Sequence, residues 1–451
     1  MRILGWVFLF CLPLLPLALW AEEEVKQTWT LQECIDYALA HNITIRQNRV
    51  SAESSRDQEA TAQAALFPTL SGSVSQRIVN RPNSTNGTII SGDNITSSES
   101  KTSYNGNYGL DLNWTLYNGG KRMNQIRQQK LNTQVADLAV GECMNSIEES
   151  IIQLYAQILY ALESVKMNES TLMVSQKQYE RGEVLYQAGS IASSDLAQLE
   201  AQVSNDNYQL VMSQNSLADY KLQLKQLLEL DGDFEMNIEV KELENESVLR
   251  PLPLKEDVYQ TALTLRPEIQ SGQLSIDLAE LSVKEARAGY LPTLSLTAGI
   301  GTTHSNGNDF TFGEQMKRNW NNSIGFTLSI PIYDRRQTRG AINQAKYQRQ
   351  TRTLDLLERQ KTLYKTIENL WLEAHSAQQQ YVAASQKLKS SETSFALVSE
   401  QFNVGMKNTV ELLTEKNNLS SARQETLQAK YMALLHAGLL RFYQGEKVNL
   451  F

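Results

Sequence analysis

The sequence predicts an α+β fold, mainly α, in which each of two tandem repeats supplies a long helical hairpin and two β-strands. The first observation is the duplication itself: residues 65–71 read ALFPTLS and residues 289–295 read GYLPTLS, with Pro68 and Pro292 separated by 224 positions. A repeat of this length indicates one structural unit built twice, because solenoid repeats are only about 20–50 residues long. The other two observations are long stretches free of helix-breaking residues and segments in which apolar and polar residues alternate.

Two stretches of the chain predict unusually long helices. Residues 121–181 contain one glycine and no proline, and residues 341–404 contain neither. Since proline breaks a helix interior and glycine weakens it, both stretches favour continuous helix. Gly189 and Gly405 then mark tight turns, because glycine is the preferred residue just past a helix end. The predicted hairpins are a long helix at 121–187 with a return helix at 194–229, and a long helix at 337–402 with a return helix at 410–443.

In each repeat, the period of the pattern changes from 3.6 to 2 ahead of the long helix. Strands of about ten residues with one apolar face are typical of a transmembrane barrel wall. A soluble antiparallel sheet with one solvated face has the same pattern and stays open as an alternative. The predicted strands lie at about 68–80, 104–117, 292–303 and 320–332. The side chains predicted to face lipid are Leu110, Leu112, Trp114, Phe326, Leu328 and Ile330.

Four strands cannot close a barrel by themselves. In lipid an open sheet edge is not tolerated, since its backbone groups would have no partner. A membrane location therefore requires an oligomer whose strands close together. The polar stretches 81–101 and 305–317 are then expected to be outer loops at the ends of the strand pairs.

The N-terminus predicts export. Arg2 is followed by an apolar run over residues 3–20 and by Ala21, which is typical of a secretory signal peptide. Cys11 lies inside the apolar run and not at the cleavage junction, so we expect no lipid anchor. The predicted divisions are the signal peptide at 1–21, repeat 1 at 22–230, a linker at 231–253 and repeat 2 at 254–451.

The composition argues against several classes of function. A net charge of −8 with scattered basic residues argues against nucleic acid as a partner. The three cysteines and four histidines show no metal-ligand spacing. No phosphate-binding loop, nucleophile motif or pair of catalytic carboxylates is present. We therefore expect no metal, no cofactor and no enzymatic activity.

The order of these features resembles the TolC-like outer-membrane efflux proteins over the whole mature chain. The shared elements are the signal peptide, the paired repeats, an ALxxN/RPxI helix at 38–45 and 262–269, the PTL start of a strand at Pro68 and Pro292, and the YNGGKR end of a strand at 117–122. The resemblance implies a homotrimer whose twelve-stranded outer-membrane β-barrel continues into an α-barrel tunnel across the periplasm. It implies two protein partners, a periplasmic adaptor (membrane fusion) protein and an inner-membrane transporter, besides outer-membrane lipid.

The resemblance also implies a gate at the periplasmic tip. Glu411 matches the first acidic position of the family's constriction, whereas Thr414 replaces the second acid. Lys407 and Phe402 match the residues that latch the closed tip, and Asp195 is the expected ionic partner of Lys407. A ring of carboxylates would control a narrow pore. The alternative is that these are ordinary charges at helix starts, where acids are favoured in any case.

Small residues at the two turns match the adaptor-binding positions of the family. They are Ala188, Gly189, Ser190, Val404, Gly405 and Met406. The glycines have a purely conformational alternative, because a turn needs them whatever binds there.

The leading function implied is a passive outer-membrane exit duct for small molecules in a tripartite efflux system. Two alternatives remain: a duct for type I protein secretion, and a structural coiled-coil protein of the cell envelope that is not a channel.

Overall fold

The computed structural model describes residues 28–82, 88–91, 94–97, 102–240, 248–306 and 310–448. The predicted signal peptide, 1–21, lies outside these residues. The first repeat contains β1 (Thr28–Trp29), α1 (Leu31–His41), α2 (Ile43–Ala64), β2 (Thr69–Asn80), β3 (Thr88–Ser91), β4 (Asn94–Ser97), β5 (Thr102–Asn118), α3 (Lys121–Gln187) and α4 (Ser193–Leu227). After β6 (Asn237–Ile238), the second contains α5 (Lys255–Leu265), α6 (Pro267–Arg287), β7 (Thr293–Ser305), α7 (Phe312–Arg318), β8 (Asn321–Ser329), α8 (Gln337–Asn403) and α9 (Thr409–Tyr443).

The fold is mainly helical, as predicted, and α3 and α8 dominate it. Each of these helices is 67 residues long, which at 1.5 Å per residue corresponds to about 100 Å. α3 packs along α4, α8 along α9, and α9 also along α3. The apolar stripe of α8 is buried throughout and consists of Leu363, Ile367, Leu370, Ala374, Ala377 and Tyr381.

The short helices break at the same place in both repeats, but for different reasons. In the second repeat, Pro267 is the first residue of α6 and cannot continue α5. In the first repeat, Asn42 ends α1 and caps α2 by accepting hydrogen bonds from the backbone amides of Thr44 (2.9 Å) and Ile45 (3.3 Å).

The core lies where the short helices pack against the middle of the long hairpins. Ile151, Tyr155 and Ile158 of α3 are fully buried, in one cluster with Ile367 of α8 and Leu439 of α9. The Tyr155 hydroxyl donates to the carbonyl oxygen of Glu239 at 3.1 Å, and β1 pairs in parallel with β6 beside it. The linker between the repeats is thereby tied to the first helical hairpin.

The four long strands form one antiparallel sheet in the order β2–β5–β7–β8. The repeats meet at the β5–β7 pair, where Trp114 lies opposite Leu296. β2 and β8 are edge strands with no further neighbour among the described residues. β8 ends at Ser329, before the predicted end at 332, because Pro331 has no amide to donate to a ladder.

A bulge between Thr115 and Tyr117 shifts the register of β5 against β7. Tyr117 consequently lies opposite Leu294, on the face that Trp114 and Leu296 share. Without the bulge, strict alternation from Trp114 would place Leu116 on that face instead. A bulge adds one residue to one strand and moves every later side chain to the other face, so the alternating pattern does not indicate it.

Candidate functional site

The two helical hairpins end in turns of identical geometry. In the first, the Ser190 amide donates to the Leu185 carbonyl at 2.8 Å and Gly189 adopts φ of 70°. In the second, the Met406 amide donates to the Gln401 carbonyl at 2.8 Å, and the glycine has φ of 76°. Both are Schellman turns, in which a left-handed residue closes the helix end. A Cβ atom on either glycine would meet nothing within 4 Å, so φ alone requires glycine.

The turn residues that match the adaptor-binding positions form the exposed ends of the hairpins. Val404 is 70% exposed and Met406 is 74% exposed. All six are exposed: Ala188, Gly189, Ser190, Val404, Gly405 and Met406. Two solvent-facing apolar side chains on one tight turn form a small contact surface at the very end of the second hairpin.

Glu411 is fixed by the start of α9. Its carboxylate accepts from the Lys407 ammonium at 2.5 Å and from the Asn408 backbone amide at 3.2 Å, while the Asn408 side chain accepts from the Glu411 amide at 2.8 Å. The hydrogen bond from Lys407, together with that from the Asn408 backbone, lowers the pKa of Glu411 below its ordinary value. The carboxylate is therefore held ionised and in a defined position at the tip.

The expected pairing of Lys407 with Asp195 is not present within the chain. Asp195 instead accepts from the Ala192 backbone amide at 3.2 Å and caps α4, while Lys407 pairs with Glu411. Glu411 is only four residues from Lys407 at the start of α9, so this ion pair forms at little conformational cost.

The other two predicted gate residues have different surroundings. Phe402 is 4% exposed and lies in the packed interior of the second hairpin end. Thr414 is exposed and donates its hydroxyl to the Val410 carbonyl at 2.7 Å. Its neighbour Glu415 accepts from the Ser394 hydroxyl at 2.8 Å. Of the two positions that match the acidic residues of the family's constriction, only position 411 carries a carboxylate.

A buried ionic cluster, which the sequence reasoning missed, joins the two hairpins. Lys416 of α9 donates to Asp206 of α4 and to the Ser175 hydroxyl of α3, and Ser175 also bonds Asp206. The three residues are 3%, 6% and 2% exposed, respectively. Burial lowers the pKa of Lys416, and Asp206 opposes this effect. Between the cluster and the tips, no other polar contact joins the hairpins in the described chain.

One signal in the sequence pointed to this cluster. Lys416 lies three and four positions from Leu419 and Leu412, which are both buried, so a charged residue occupies the apolar stripe of α9. A lysine inside such a stripe requires a buried acidic partner. The sequence does not identify that partner, because Asp206 is 210 residues away.

The sheet carries one continuous apolar face. Across the ladder, Trp114 lies opposite Leu296, which lies opposite Phe326. Leu110 and Leu112 project from β5, and Leu328 from β8, on the same face by strand alternation. Phe326 is 67% exposed and Leu328 is 59% exposed. Ile330 follows the end of β8 and is 60% exposed. The opposite face is polar and on β5 carries Asn107, Asp111 and Asn113.

No helix in the described part of the chain is both long and apolar enough to cross a membrane. Within the same residues, no group of three histidine, cysteine, aspartate or glutamate side chains is arranged to hold a metal ion. Cys34 is buried, and burial raises the pKa of its thiol to about 12.

Comparison with known proteins finds relatives of this chain. The chain is 21% identical over 436 residues to the outer membrane protein TolC of Escherichia coli strain K12, across 94% of this chain and 83% of that protein. It is 23% identical over 297 residues to the alkaline protease secretion protein AprF of Pseudomonas aeruginosa, across 65% of this chain and 60% of that protein.

The fold comparison agrees with the sequence comparison. The crystal structure of CusC superposes with a TM-score of 0.78 at 19% identity, and the match covers 92% of each chain. This likeness concerns the fold alone. The profile of the outer membrane efflux protein family matches residues 34–229 and 258–445, which are the two repeats. The chain therefore belongs to the outer membrane efflux protein family.

Proposed function

We propose that the chain forms a homotrimeric exit duct for small molecules in the outer membrane, as the channel component of a tripartite efflux system. The observation that carries this proposal is the pair of unpartnered edge strands, β2 and β8, on a sheet with one exposed apolar face. An open edge in lipid would leave backbone groups without partners. Pairing β8 of one copy with β2 of the next removes both edges.

The strand directions support closure of the ring. In the order β2–β5–β7–β8 every neighbouring pair is antiparallel, so β2 and β8 run in opposite directions. A head-to-tail contact between copies is then antiparallel as well, and such a contact closes into a ring by rotation. Three copies give a twelve-stranded barrel. The long helices, which leave the same end of the sheet, continue as the periplasmic tunnel.

The tips provide the gate and the contact with partners in this proposal. Three copies of Glu411 form a carboxylate ring that favours cations at the narrow end of the tunnel. The exposed turns, with Val404 and Met406 at their ends, contact a periplasmic adaptor protein that is coupled to an inner-membrane transporter. Transport energy comes from that transporter, and the duct itself is not an enzyme.

A second candidate is protein secretion through the same duct. It is favoured by the relationship to AprF, which is a protease secretion protein. The tunnel-lining chemistry does not separate a small molecule from an extended polypeptide, so the two cargoes share all structural predictions made below.

The molar mass of the purified mature protein in detergent tests the assembly, measured by light scattering with the detergent contribution subtracted. The proposal expects a species of three chains that persists on dilution, because the strand edges are satisfied only in the ring. A stable monomer in the same detergent would contradict it.

A further inference from the structure

The connection between β7 and β8 contains a short helix, α7, at the end of the sheet opposite the long helices. It was expected to be a polar outer loop. Phe310, Phe312 and Trp320 are 41%, 52% and 58% exposed there, and Lys317 and Arg318 occupy the last turn of α7. Exposed aromatic rings beside two adjacent cations are unusual for a solvated loop, because they combine apolar surface with positive charge.

α7 lies on the apolar face of the sheet. The Thr302 hydroxyl of β7 donates to the Met316 carbonyl of α7 at 2.9 Å. The Phe312 ring packs edge-on against Tyr108 of β5, with centroids 6.2 Å apart. Tyr108 and Thr302 are ladder partners, and by alternation they share the face of Leu110. The aromatic segment therefore continues the apolar surface of the sheet.

The segment is held in a defined conformation. Gln315 is 4% exposed, accepts from the Ser305 amide at 3.0 Å and donates to the Phe310 carbonyl at 2.8 Å. Asn319 donates to the Thr303 carbonyl at 2.7 Å. The bonds to Ser305 and Thr303 join the middle and the C-terminal end of α7 to β7, so its two cations have fixed positions relative to the sheet.

The two cations are available to an anionic partner. The Arg318 guanidinium lies 3.8 Å from the centroid of the Phe310 ring. It forms no salt bridge among the described residues, and Glu314 interacts with it only through the longer-range charge effect that, besides the hydrogen bonds from Thr311, helps to lower the pKa of that carboxyl. Lys317 likewise has no ion-pair partner among the described residues. Glu314, the one acid of α7, is used by the capping box, where it accepts from the Thr311 amide and hydroxyl at 2.9 and 2.8 Å.

The position of α7 along the strands corresponds to one edge of the apolar band of the proposed barrel. Tyr117 and Tyr108 of β5 are nine residues apart, or about 30 Å at the usual strand rise. A tilt of about 40° reduces this to roughly 23 Å along the barrel axis, close to the ~25 Å height of the apolar band of such barrels. Aromatic side chains mark both ends of this band, as expected at membrane interfaces. α7 lies at the outer end, where lipid phosphates lie.

We propose that α7 binds phosphate-bearing lipid of the outer leaflet, with Phe312 and Trp320 in the interface and Lys317 and Arg318 on the phosphates. The inference rests on the proposed barrel, since only that orientation brings α7 to the outer surface. It goes further by assigning a lipid-binding surface to residues outside the duct and its tips.

Native mass spectrometry of the purified trimer tests this, with diphosphoryl lipid A and its dephosphorylated form as probes. We expect the wild-type protein to retain the diphosphoryl form preferentially. Two basic residues at an anionic membrane surface together raise the affinity for lipid about tenfold or more. The double variant Lys317→Gln/Arg318→Gln should therefore reduce retention of diphosphoryl lipid A by roughly tenfold. Lys361→Gln/Lys365→Gln on α8 removes the same charge far from the sheet and should retain lipid as the wild type does. Lys317→Arg/Arg318→Lys should preserve binding.

Equal retention of the two lipid forms by the wild type would overturn the inference, as would undiminished retention by the glutamine variant. Pore formation in phosphatidylethanolamine bilayers without lipid A separates this failure from failure of the duct. A wild-type protein that forms pores but retains both forms of lipid A equally refutes the lipid-binding surface alone. A wild-type protein that forms no pores refutes the duct.

Discussion

Lys416 of α9 and Asp206 of α4 form an ion pair in which both side chains are more than nine-tenths buried. Ser175 of α3 contacts both partners, so three helices from the two repeats meet at one polar point. Two charges that are removed from water are stable only when each satisfies the other. The cluster therefore fixes the register of the second hairpin against the first.

Replacing only Lys416 should destabilise the hairpins strongly. Lys416→Met leaves the Asp206 carboxylate buried without a counter-ion, which costs about 3–5 kcal/mol. Lys416→Met/Asp206→Leu removes both charges and should recover most of that stability, because an apolar replacement of a buried pair is often neutral. Denaturant unfolding followed by circular dichroism compares the variants. A double variant as unstable as the single one would show that the pair is not the source of the effect.

The tip carboxylate should titrate at a lower pH than an ordinary glutamate. Because Lys407 and the Asn408 amide lower the pKa of Glu411, its negative charge persists to a lower pH than that of an ordinary glutamate. Lys407→Gln removes the larger cause, so the loss of cation selectivity should move to higher pH. Cation selectivity measured in bilayers across an acid pH series gives the midpoint of its loss for the wild type and for Lys407→Gln. Lys361→Gln, which removes one positive charge elsewhere, is the control. Coincident midpoints for Lys407→Gln and the wild type would remove Lys407 from this role.

The turn glycines should tolerate only residues that accept a left-handed backbone. Gly405→Ala should lower the free energy of unfolding by about 1–2 kcal/mol, because alanine is strained at a φ of 76°. The space beside the residue is open, so no steric clash adds to this cost. Gly405→Asn should be milder, since asparagine visits this conformation more readily. Thermal unfolding of both variants, with adaptor pull-down at low temperature, separates stability from binding. An alanine variant as stable as the wild type would mean that φ does not require glycine there.

The two faces of β5 should respond oppositely to charge. Leu112→Arg places a cation on the apolar face in the middle of the strand, where lipid would cost about 2–4 kcal/mol per chain. Asn113→Arg places the same side chain on the polar face and should be tolerated. Recovery of heat-resistant trimer from outer-membrane fractions is the measurement. Equal recovery of the two variants would contradict a lipid-facing position for Leu112.

The elements with strong one-dimensional patterns could be predicted. The absence of proline and the near absence of glycine predicted the long helices, and alternation predicted which side chains of β5 and β8 share a face. Relations that depend on three dimensions could not be predicted in this way. The bulge before Tyr117 leaves no mark on composition, and the partner of Lys416 lies in the other repeat. Lys407 pairs with Glu411, and not with Asp195 as expected, because Glu411 is only four residues away. A contact with Asp195 would have required the two hairpin ends to meet.

Single-channel conductance of the purified protein in planar bilayers tests the central claim most directly, with wild type and Glu411→Ala recorded side by side. The duct predicts stable pores from the trimer and a cation selectivity that falls when Glu411 is replaced. A trimeric protein that inserts but shows the same selectivity with alanine at 411 would contradict the gate at the tip. A protein that gives no pores under conditions where it remains folded would contradict the duct itself.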